Sequence, residues 1–174
     1  MTPTDPLPLG QVYRDVQRLG ADALVTAVGA YVLVGRPQVP QQDAWTYRTA
    51  TGTGPPNVEL TVAGLAMDMV CWLLRKKDGV RTFQDTLLLG RAPTNDLVVP
   101  DGSVSKLHAR LHVEKDAVRL TDADSRNGTK LNGKRVDTKK GVTLKHQDVV
   151  GVGDVQMRYL DTRQLHALLR GVKF

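Results

Sequence analysis

Apolar side chains near the amino terminus recur every three or four residues, at Leu9, Val12, Val16 and Leu19. This spacing places them on one face of a helix, and Gly20 follows at the position where a helix would end. The pattern predicts an amphipathic helix over residues 9–19.

The next segment changes from a helical to a β pattern. Helical character can continue to Val28, whereas residues 31–34 are β-rich and lie between Gly29 and the breaker 35–37. We therefore expect a strand over 31–34. The proline-rich stretch 37–57 predicts a long loop in which a domain boundary falls.

From Val58 onward, short apolar segments alternate with turn signals, and this rhythm is typical of a β-sandwich or β-barrel. In the segment 108–113 alternate residues are apolar. No part of the chain has the strand-helix-strand rhythm of a parallel α/β sheet. The predicted strands are 58–62, 69–75, 86–89, 97–99, 108–113, 117–121, 142–144 and 155–160.

The carboxyl-terminal residues predict a short helix that docks on the last strand. Asp161 is a suitable N-cap, and Gln164 stands three residues later, as in a capping box. Leu165, Leu168 and Leu169 then lie on one helical face.

Composition describes an ordinary globular protein with one core. Of 174 residues, 41% are hydrophobic and 24% are charged. The formal net charge of +6 would attract any polyanion, so charge alone does not separate nucleic acid, anionic lipid and phosphorylated protein as partners. Cys71 is the only cysteine, which excludes an intrachain disulfide and a cysteine-based metal cluster; we expect it in the core.

Two segments bear on localisation. Residues 1–10 contain neither Lys nor Arg, so they lack the basic start of a secretory signal. The most apolar stretch, 21–34, includes Asp22 and Gly29 and is shorter than the roughly 20 residues that span a bilayer. We expect this stretch to be buried and the protein to be cytoplasmic.

Four short clusters stand at ends of predicted strands: Gly90-Arg91, Ser105-x-x-His108, residues 125–129, and Asn132-Gly133, which is also a strong hairpin signal. Loops of a sandwich gather at its two ends, so clusters that are distant in sequence can meet. In their order and separation the clusters resemble the forkhead-associated (FHA) family, whose pattern is Gly-Arg, then Ser-x-x-His, then Asn-Gly. The resemblance covers about residues 69–160.

This resemblance implies a mostly β fold, an FHA-like antiparallel β-sandwich, to which the helical patterns add an N-terminal helical extension and a short C-terminal helix. We therefore divide the chain into an extension over 1–57 that packs on the sandwich, an FHA domain over 58–160 and a terminal helix over 161–174.

The resemblance also implies binding of phosphothreonine peptides, with Arg91 and Ser105 on the phosphate. The chemistry agrees, because a phosphate carries nearly two negative charges and three acceptor oxygens, which a guanidinium and a hydroxyl can bind. Lys106 can add a point charge to the same oxygens.

Other residues of the site follow from the same resemblance. Asn127 has a donor and an acceptor with which to hold a peptide backbone, and Arg126 stands where relatives touch the phosphothreonine or its peptide. Gly90 and Gly128 allow tight turns, and His108 is expected to be a buried brace for the loops.

Enzyme and metal sites are not indicated. Ser105 and His108 lack a Gly-x-Ser-x-Gly elbow, no nucleotide-binding glycine loop is present, and 122–133 fails as a calcium loop because Arg126 and Gly133 occupy ligand positions. We expect a protein that is not an enzyme and has no metal or other cofactor.

The expected partners are a threonine-phosphorylated protein or peptide and a Ser/Thr kinase, in bacterial kinase signalling or the regulation of secretion. Two alternatives stay open: a phosphate-independent assembly subunit, and a basic nucleic-acid-binding protein, although only 5% of residues are aromatic. Several basic side chains are interpreted as ordinary solvated surface: Lys130, Lys134, Arg135, Lys139 and Lys140.

Overall fold

The computed structural model describes residues 6–36, 69–76, 85–114 and 117–171. Three helices lie within these ranges: α1 (Leu9–Arg18), α2 (Ala21–Val28) and α3 (Thr162–Gly171). The strands are β1 (Leu7–Pro8), β2 (Tyr31–Gly35), β3 (Val70–Leu73), β4 (Thr86–Gly90), β5 (Leu97–Val98), β6 (Ala109–Val113), β7 (Val118–Asp122), β8 (Thr129–Leu131), β9 (Lys134–Arg135), β10 (Val142–Thr143), β11 (Val149–Val152) and β12 (Val155–Asp161).

The strands form two sheets. The seven-stranded sheet has the order β1-β3-β2-β12-β11-β8-β9, and the five-stranded sheet has the order β10-β7-β6-β4-β5. Paired strands are antiparallel except β4 and β5, which are parallel. The predicted fold, a mostly β antiparallel sandwich with helices at both termini, is confirmed.

One hydrophobic core lies between the two sheets. Leu33 and Trp72, which are paired across β2 and β3, both belong to this core. The indole Nε1 of Trp72 donates a hydrogen bond to the carbonyl oxygen of Val98, at 2.8 Å. Because a buried indole N–H needs an acceptor, this bond fixes the end of β5 against the opposite sheet.

A second core covers the outer face of the seven-stranded sheet. Alternation along β2 and β3 turns Val32, Val34 and Cys71 away from the sandwich, and they pack with buried side chains of α1, α2 and α3. Cys71 is buried as expected, and desolvation raises the pKa of its thiol to about 12. The protein therefore has three layers: helices, the larger sheet and the smaller sheet.

The β2 strand lies in the middle of the larger sheet. Leu33 pairs with Trp72 of β3 on one side and with Tyr159 of β12 on the other. The N-terminal segment thus contributes an internal strand to the sandwich in addition to helices that pack on it. The domain boundary predicted between residues 57 and 58 lies outside the described residues, as do the predicted loop 37–57 and strand 58–62.

Several local predictions agree with the structure. The helix over 9–19 is α1 and the strand over 31–34 is β2. Asp161 caps α3, since its Oδ1 accepts hydrogen bonds from the backbone N–H groups of Arg163 (2.9 Å) and Gln164 (3.2 Å). Asn132 and Gly133 have φ of 49° and 80° and join β8 to β9, which confirms the hairpin.

The β1 and β11 strands were not predicted, and β8 and β9 were indicated only by the hairpin signal at Asn132-Gly133. Residues 149–152 of β11 form the short run Val-Val-Gly-Val, in which Gly151 interrupts the apolar pattern and both faces are covered, so no alternation is visible. None of the helices in the described ranges is long and apolar enough to cross a membrane.

We predict that Leu169→Ala lowers the free energy of unfolding by about 2–5 kcal/mol, because Leu169 is fully buried in the helical layer and its truncation leaves a cavity. Leu168→Ala is the matched control, since Leu168 is only half-buried on the same helix and its loss is expected to be much smaller. Urea denaturation of both variants checks the prediction, and equal losses would contradict it.

Candidate functional site

Three loops meet at one end of the sandwich: residues 91–96 after β4, 99–108 after β5, and 123–128 after β7. The backbone N–H of Arg91 donates to the carbonyl oxygen of Ser105 at 2.9 Å. The N–H of Arg126 donates to Oγ of Ser105 at 3.0 Å, and Nδ2 of Asn127 donates to the carbonyl oxygen of Ser103 at 2.7 Å. The structure thus joins the sequence clusters around the loop that holds Ser105.

The first loop is held close to the second by backbone contacts. A Cβ added to Gly90 would clash with the carbonyl oxygen of Lys106, so this approach requires glycine. The side-chain amide of Asn95 spans the two loops, donating to the carbonyl oxygens of Ala92 (2.9 Å) and Lys106 (2.6 Å). Asn95 itself is buried, so the connection is shielded from water.

Arg91 is exposed, yet its side chain is partly fixed. Its Nε donates to the carbonyl oxygen of Val104 at 3.2 Å, which leaves the terminal nitrogens of the guanidinium available to a ligand. A guanidinium held by one nitrogen loses less rotamer freedom when it binds an anion.

Ser105 is half-buried at the centre of the loops. Its hydroxyl oxygen accepts from the N–H of Arg126, so the hydroxyl proton can be donated elsewhere. Lys106, the next residue in the chain, and Arg126, whose N–H makes this bond, are both exposed. The site therefore presents one hydroxyl donor among three exposed cationic side chains, counting Arg91.

His108 is fully buried and connects the second loop to the third. Its Nδ1 lies 3.0 Å from the backbone nitrogen of Ser105, and its Nε2 lies 3.2 Å from the carbonyl oxygen of Gly128. A backbone N–H can only donate, so Nδ1 must be the acceptor and Nε2 must carry the proton. The geometry therefore requires the neutral ring with its proton on Nε2.

Burial agrees with this protonation state. Desolvation lowers the pKa of His108. The hydrogen bond to Gly128 and the charge of Asp122 raise this pKa, but they offset the desolvation only in part. Since β6 begins at Ala109, His108 does not follow the strand alternation that leaves Arg110 and His112 exposed.

Asp122 is buried beneath the third loop and accepts hydrogen bonds from it. One carboxylate oxygen accepts from the hydroxyls of Ser125 (2.6 Å) and Thr129 (2.5 Å), and the other accepts from the N–H of Ser125 (3.0 Å). Desolvation raises the pKa of Asp122, but the hydrogen bonds from Ser125 and Thr129 outweigh it and leave the pKa below its usual value. This buried network fixes both ends of the turn that presents Arg126 and Asn127.

Gly128 closes that turn with a positive φ of 77°, a conformation that favours glycine. The guanidinium of Arg135 lies against it, with Cζ 2.9 Å from the position of a Cβ built on Gly128. An exposed arginine of β9 thus joins the site although the sequence interpretation assigned it to ordinary surface.

Sequence reasoning missed four residues near the site: Asn95, Ser103, Asp122 and Arg135. The Asp122-x-x-Ser125 spacing was a usable signal, because Asp side chains commonly bond backbone two or three residues later in a turn. No local pattern distinguishes Arg135 from the lysines around it.

Within the described residues, no group of three or more His, Cys, Asp or Glu side chains is placed to hold a metal ion. The chemistry that the site itself offers is recognition of an anion by cationic, hydroxyl and amide groups.

We predict that acidification destabilises the protein partly through His108. A group whose folded pKa is lowered contributes stability above its unfolded pKa of 6.5, and this stability is lost as pH falls through the lowered folded pKa. Urea unfolding between pH 7.5 and 5 checks this: His108→Gln should show a smaller loss on acidification than the wild type. His112→Gln, at an exposed position, should keep the wild-type loss. An unchanged pH dependence in His108→Gln would contradict the prediction.

Comparison with known proteins places these loops in a family. Residues 87–153 match the family described as FHA domain. The chain is 33% identical over 128 residues to the ABC transporter ATP-binding/permease protein Rv1747 of Mycobacterium tuberculosis, covering 72% of this chain and 14% of that protein. It is 32% identical over 77 residues to the glycogen accumulation regulator GarA of Mycolicibacterium smegmatis, covering 44% of this chain and 47% of GarA.

Both curated relatives are longer than the matched region, and the chain spans less than half the length of each. Among solved structures, the FHA domain of CT664 from Chlamydia trachomatis is 29% identical, with an alignment covering 44% of this chain and 76% of that one and a TM-score of 0.41. The family match includes the loops that carry Arg91, Ser105 and Asn127, and we conclude that the chain contains a forkhead-associated (FHA) domain.

Proposed function

We propose that the chain binds phosphothreonine peptides through Arg91, Ser105, Lys106, Arg126 and Asn127. The observation that carries this proposal is the hydrogen bonding of Ser105. Its hydroxyl oxygen already accepts from the N–H of Arg126, so its proton is free to be donated to an acceptor at the surface. A phosphate oxygen is such an acceptor.

The charges of the same loops support a dianion as the ligand. Arg91, Lys106 and Arg126 are exposed and lie in loops joined by hydrogen bonds to Ser105 or its neighbours. Bringing these cations together is unfavourable without a counter-charge, and a phosphate supplies nearly two negative charges at neutral pH. The guanidinium of Arg91 can bind two phosphate oxygens at once.

Asn127 supports a peptide as the carrier of the phosphate. The side-chain Nδ2 of Asn127 donates to the carbonyl oxygen of Ser103. Its side-chain oxygen, Oδ1, forms no hydrogen bond with another described residue. That oxygen can accept from the backbone N–H of an extended peptide. We propose that Asn127 orients the peptide while Arg91 and Ser105 bind its phosphate.

Gly90, His108 and Gly128 act as structural support in this proposal. The chain then docks a partner protein after a Ser/Thr kinase has phosphorylated that partner. In this proposal the chain has no catalytic activity of its own and acts in the cytoplasm, where such kinases act. A shallow site that takes much of its binding energy from one phosphate suggests a micromolar affinity, about −8 kcal/mol. We further propose that residues 31–161, from β2 to β12, form the binding unit, since β2 lies inside the larger sheet, between β3 and β12.

We predict that Arg91→Ala weakens binding of a phosphothreonine peptide at least tenfold, because losing a charge-assisted partner costs roughly 2 kcal/mol or more. Calorimetric titration measures the effect. Arg110→Ala is the matched control, since Arg110 is also an exposed arginine but lies on the outer face of β6, and this variant should bind within about twofold of the wild type.

Unchanged affinity in a folded Arg91→Ala variant would overturn the assignment of Arg91. Absence of binding by the wild type to a library of phosphothreonine peptides would overturn the proposed function as a whole. Equal binding of phosphorylated and unphosphorylated peptides would favour a phosphate-independent assembly role.

We also predict that a phosphoserine peptide binds more weakly than the same peptide with phosphothreonine. The family resemblance implies a small apolar pocket for the threonine methyl group, and burial of one methyl group is worth about 0.8 kcal/mol, or roughly fourfold in affinity. Parallel titrations of the two peptides check this, and coincident curves would remove the pocket from the proposal.

A further inference from the structure

Arg135 occupies the space that a side chain on Gly128 would fill. A Cβ built on Gly128 would lie 2.9 Å from Cζ of Arg135 and 3.0 Å from its Nε and Nη2. Arg135 belongs to β9, the edge strand of the larger sheet, and pairs with Lys130 of β8. Its guanidinium is therefore beside the turn that presents Arg126 and Asn127.

The charge of Arg135 is not used within the fold. Arg135 is exposed, and among the residues that the structure describes its side chain forms no ion pair and donates no hydrogen bond. Three acidic residues close to it in the chain do not pair with it: Asp122 accepts from Ser125 and Thr129, Asp137 accepts from the backbone N–H groups of Lys139 and Lys140, and the exposed Asp124 of the third loop forms no ion pair with it. The guanidinium thus keeps its donors for a group outside the chain.

Packing also restricts where the guanidinium can be. It rests on the backbone of Gly128, whose carbonyl oxygen is itself held by His108. A planar guanidinium supported on one face presents its edge to a ligand, and little rotamer freedom remains to be lost on binding. A carboxylate or a phosphate matches that edge with two parallel hydrogen bonds.

We propose that Arg135 forms a second anion subsite beside the phosphothreonine site, which selects peptides with an acidic group flanking the phosphothreonine. The group is a carboxylate of Asp or Glu or a second phosphate, both of which offer paired anionic oxygens. Arg126, exposed on the adjacent turn, adds positive charge to the subsite. This inference rests on the proposed function and names the class of partner that the site prefers.

The test uses the full chain and a set of matched peptides in fluorescence anisotropy. All contain one phosphothreonine; in the reference peptide the flanking residues are neutral, and in the others a single Glu, or a single phosphoserine, is moved through the flanking positions on both sides. We expect the wild type to bind at least one acidic position about five- to tenfold more tightly than the reference. The preference should decrease in 0.5 M salt, because screening weakens exposed charge pairs.

Two variants separate recognition from packing. Arg135→Gln should lose the preference for the acidic peptides while binding the neutral reference within twofold of the wild type. Lys134→Gln removes a charge from the neighbouring exposed residue, whose side chain points to the other side of β9, and should keep the preference.

The outcomes are distinguishable. If Arg135→Gln weakens neutral and acidic peptides equally, Arg135 only supports the turn and the subsite is refuted. If the wild type binds all phosphothreonine peptides equally, or if Arg135→Gln keeps the preference, the subsite is refuted while the proposed function stands. If no phosphothreonine peptide binds, the proposed function fails and the subsite fails with it. Comparing the Glu and phosphoserine series shows which of the two anions the subsite takes.

Discussion

The loops at the end of the sandwich depend on one neutral imidazole ring. His108 bonds Ser105 of one loop and Gly128 of another through its two ring nitrogens. Its backbone bonds the neighbouring strand β4 and the start of the third loop, with its N–H donating to Leu89 and its carbonyl oxygen accepting from the N–H of Ala123. A single buried residue thereby connects one strand and two loops. Because an acceptor nitrogen is required at Ser105, the arrangement exists only while the ring is neutral.

This connection explains how short, exposed loops can hold a defined geometry. Two exposed side chains of the site are fixed by contacts further inside: Arg91 by the carbonyl oxygen of Val104 and Asn127 by that of Ser103. Asp122 fixes the turn that carries Arg126 and Asn127. The larger sheet is packed on both faces, by the second sheet and by the helices. Ordering of the loops is thus completed during folding, so little of the binding free energy is spent on it.

Sequence patterns identified the helices and loops whose signals are local, and they missed features that depend on the pairing of strands. Periodicity was sufficient for α1 and α3 because each has one buried face, and the ordered motifs identified the loops that meet at the rim. The strand β2 was found, but nothing in its own residues indicates that it lies between β3 and β12, because strand neighbours are set by the whole sheet. The β11 strand was missed because both of its faces are covered, so its apolar residues do not alternate.

The position of the Arg135 side chain could likewise not be predicted from local sequence patterns. In the sequence it is one of several basic residues near the Asn-Gly hairpin, and composition treats them alike. The difference arises at Gly128, which meets two requirements together: the turn needs a positive φ, and the guanidinium needs the volume that a Cβ would occupy. The site therefore gathers cations at a rigid turn, and their mutual repulsion is a cost to the folded state. A ligand that neutralises them binds only this state, so it must also stabilise the fold, and binding and stability are thermodynamically linked.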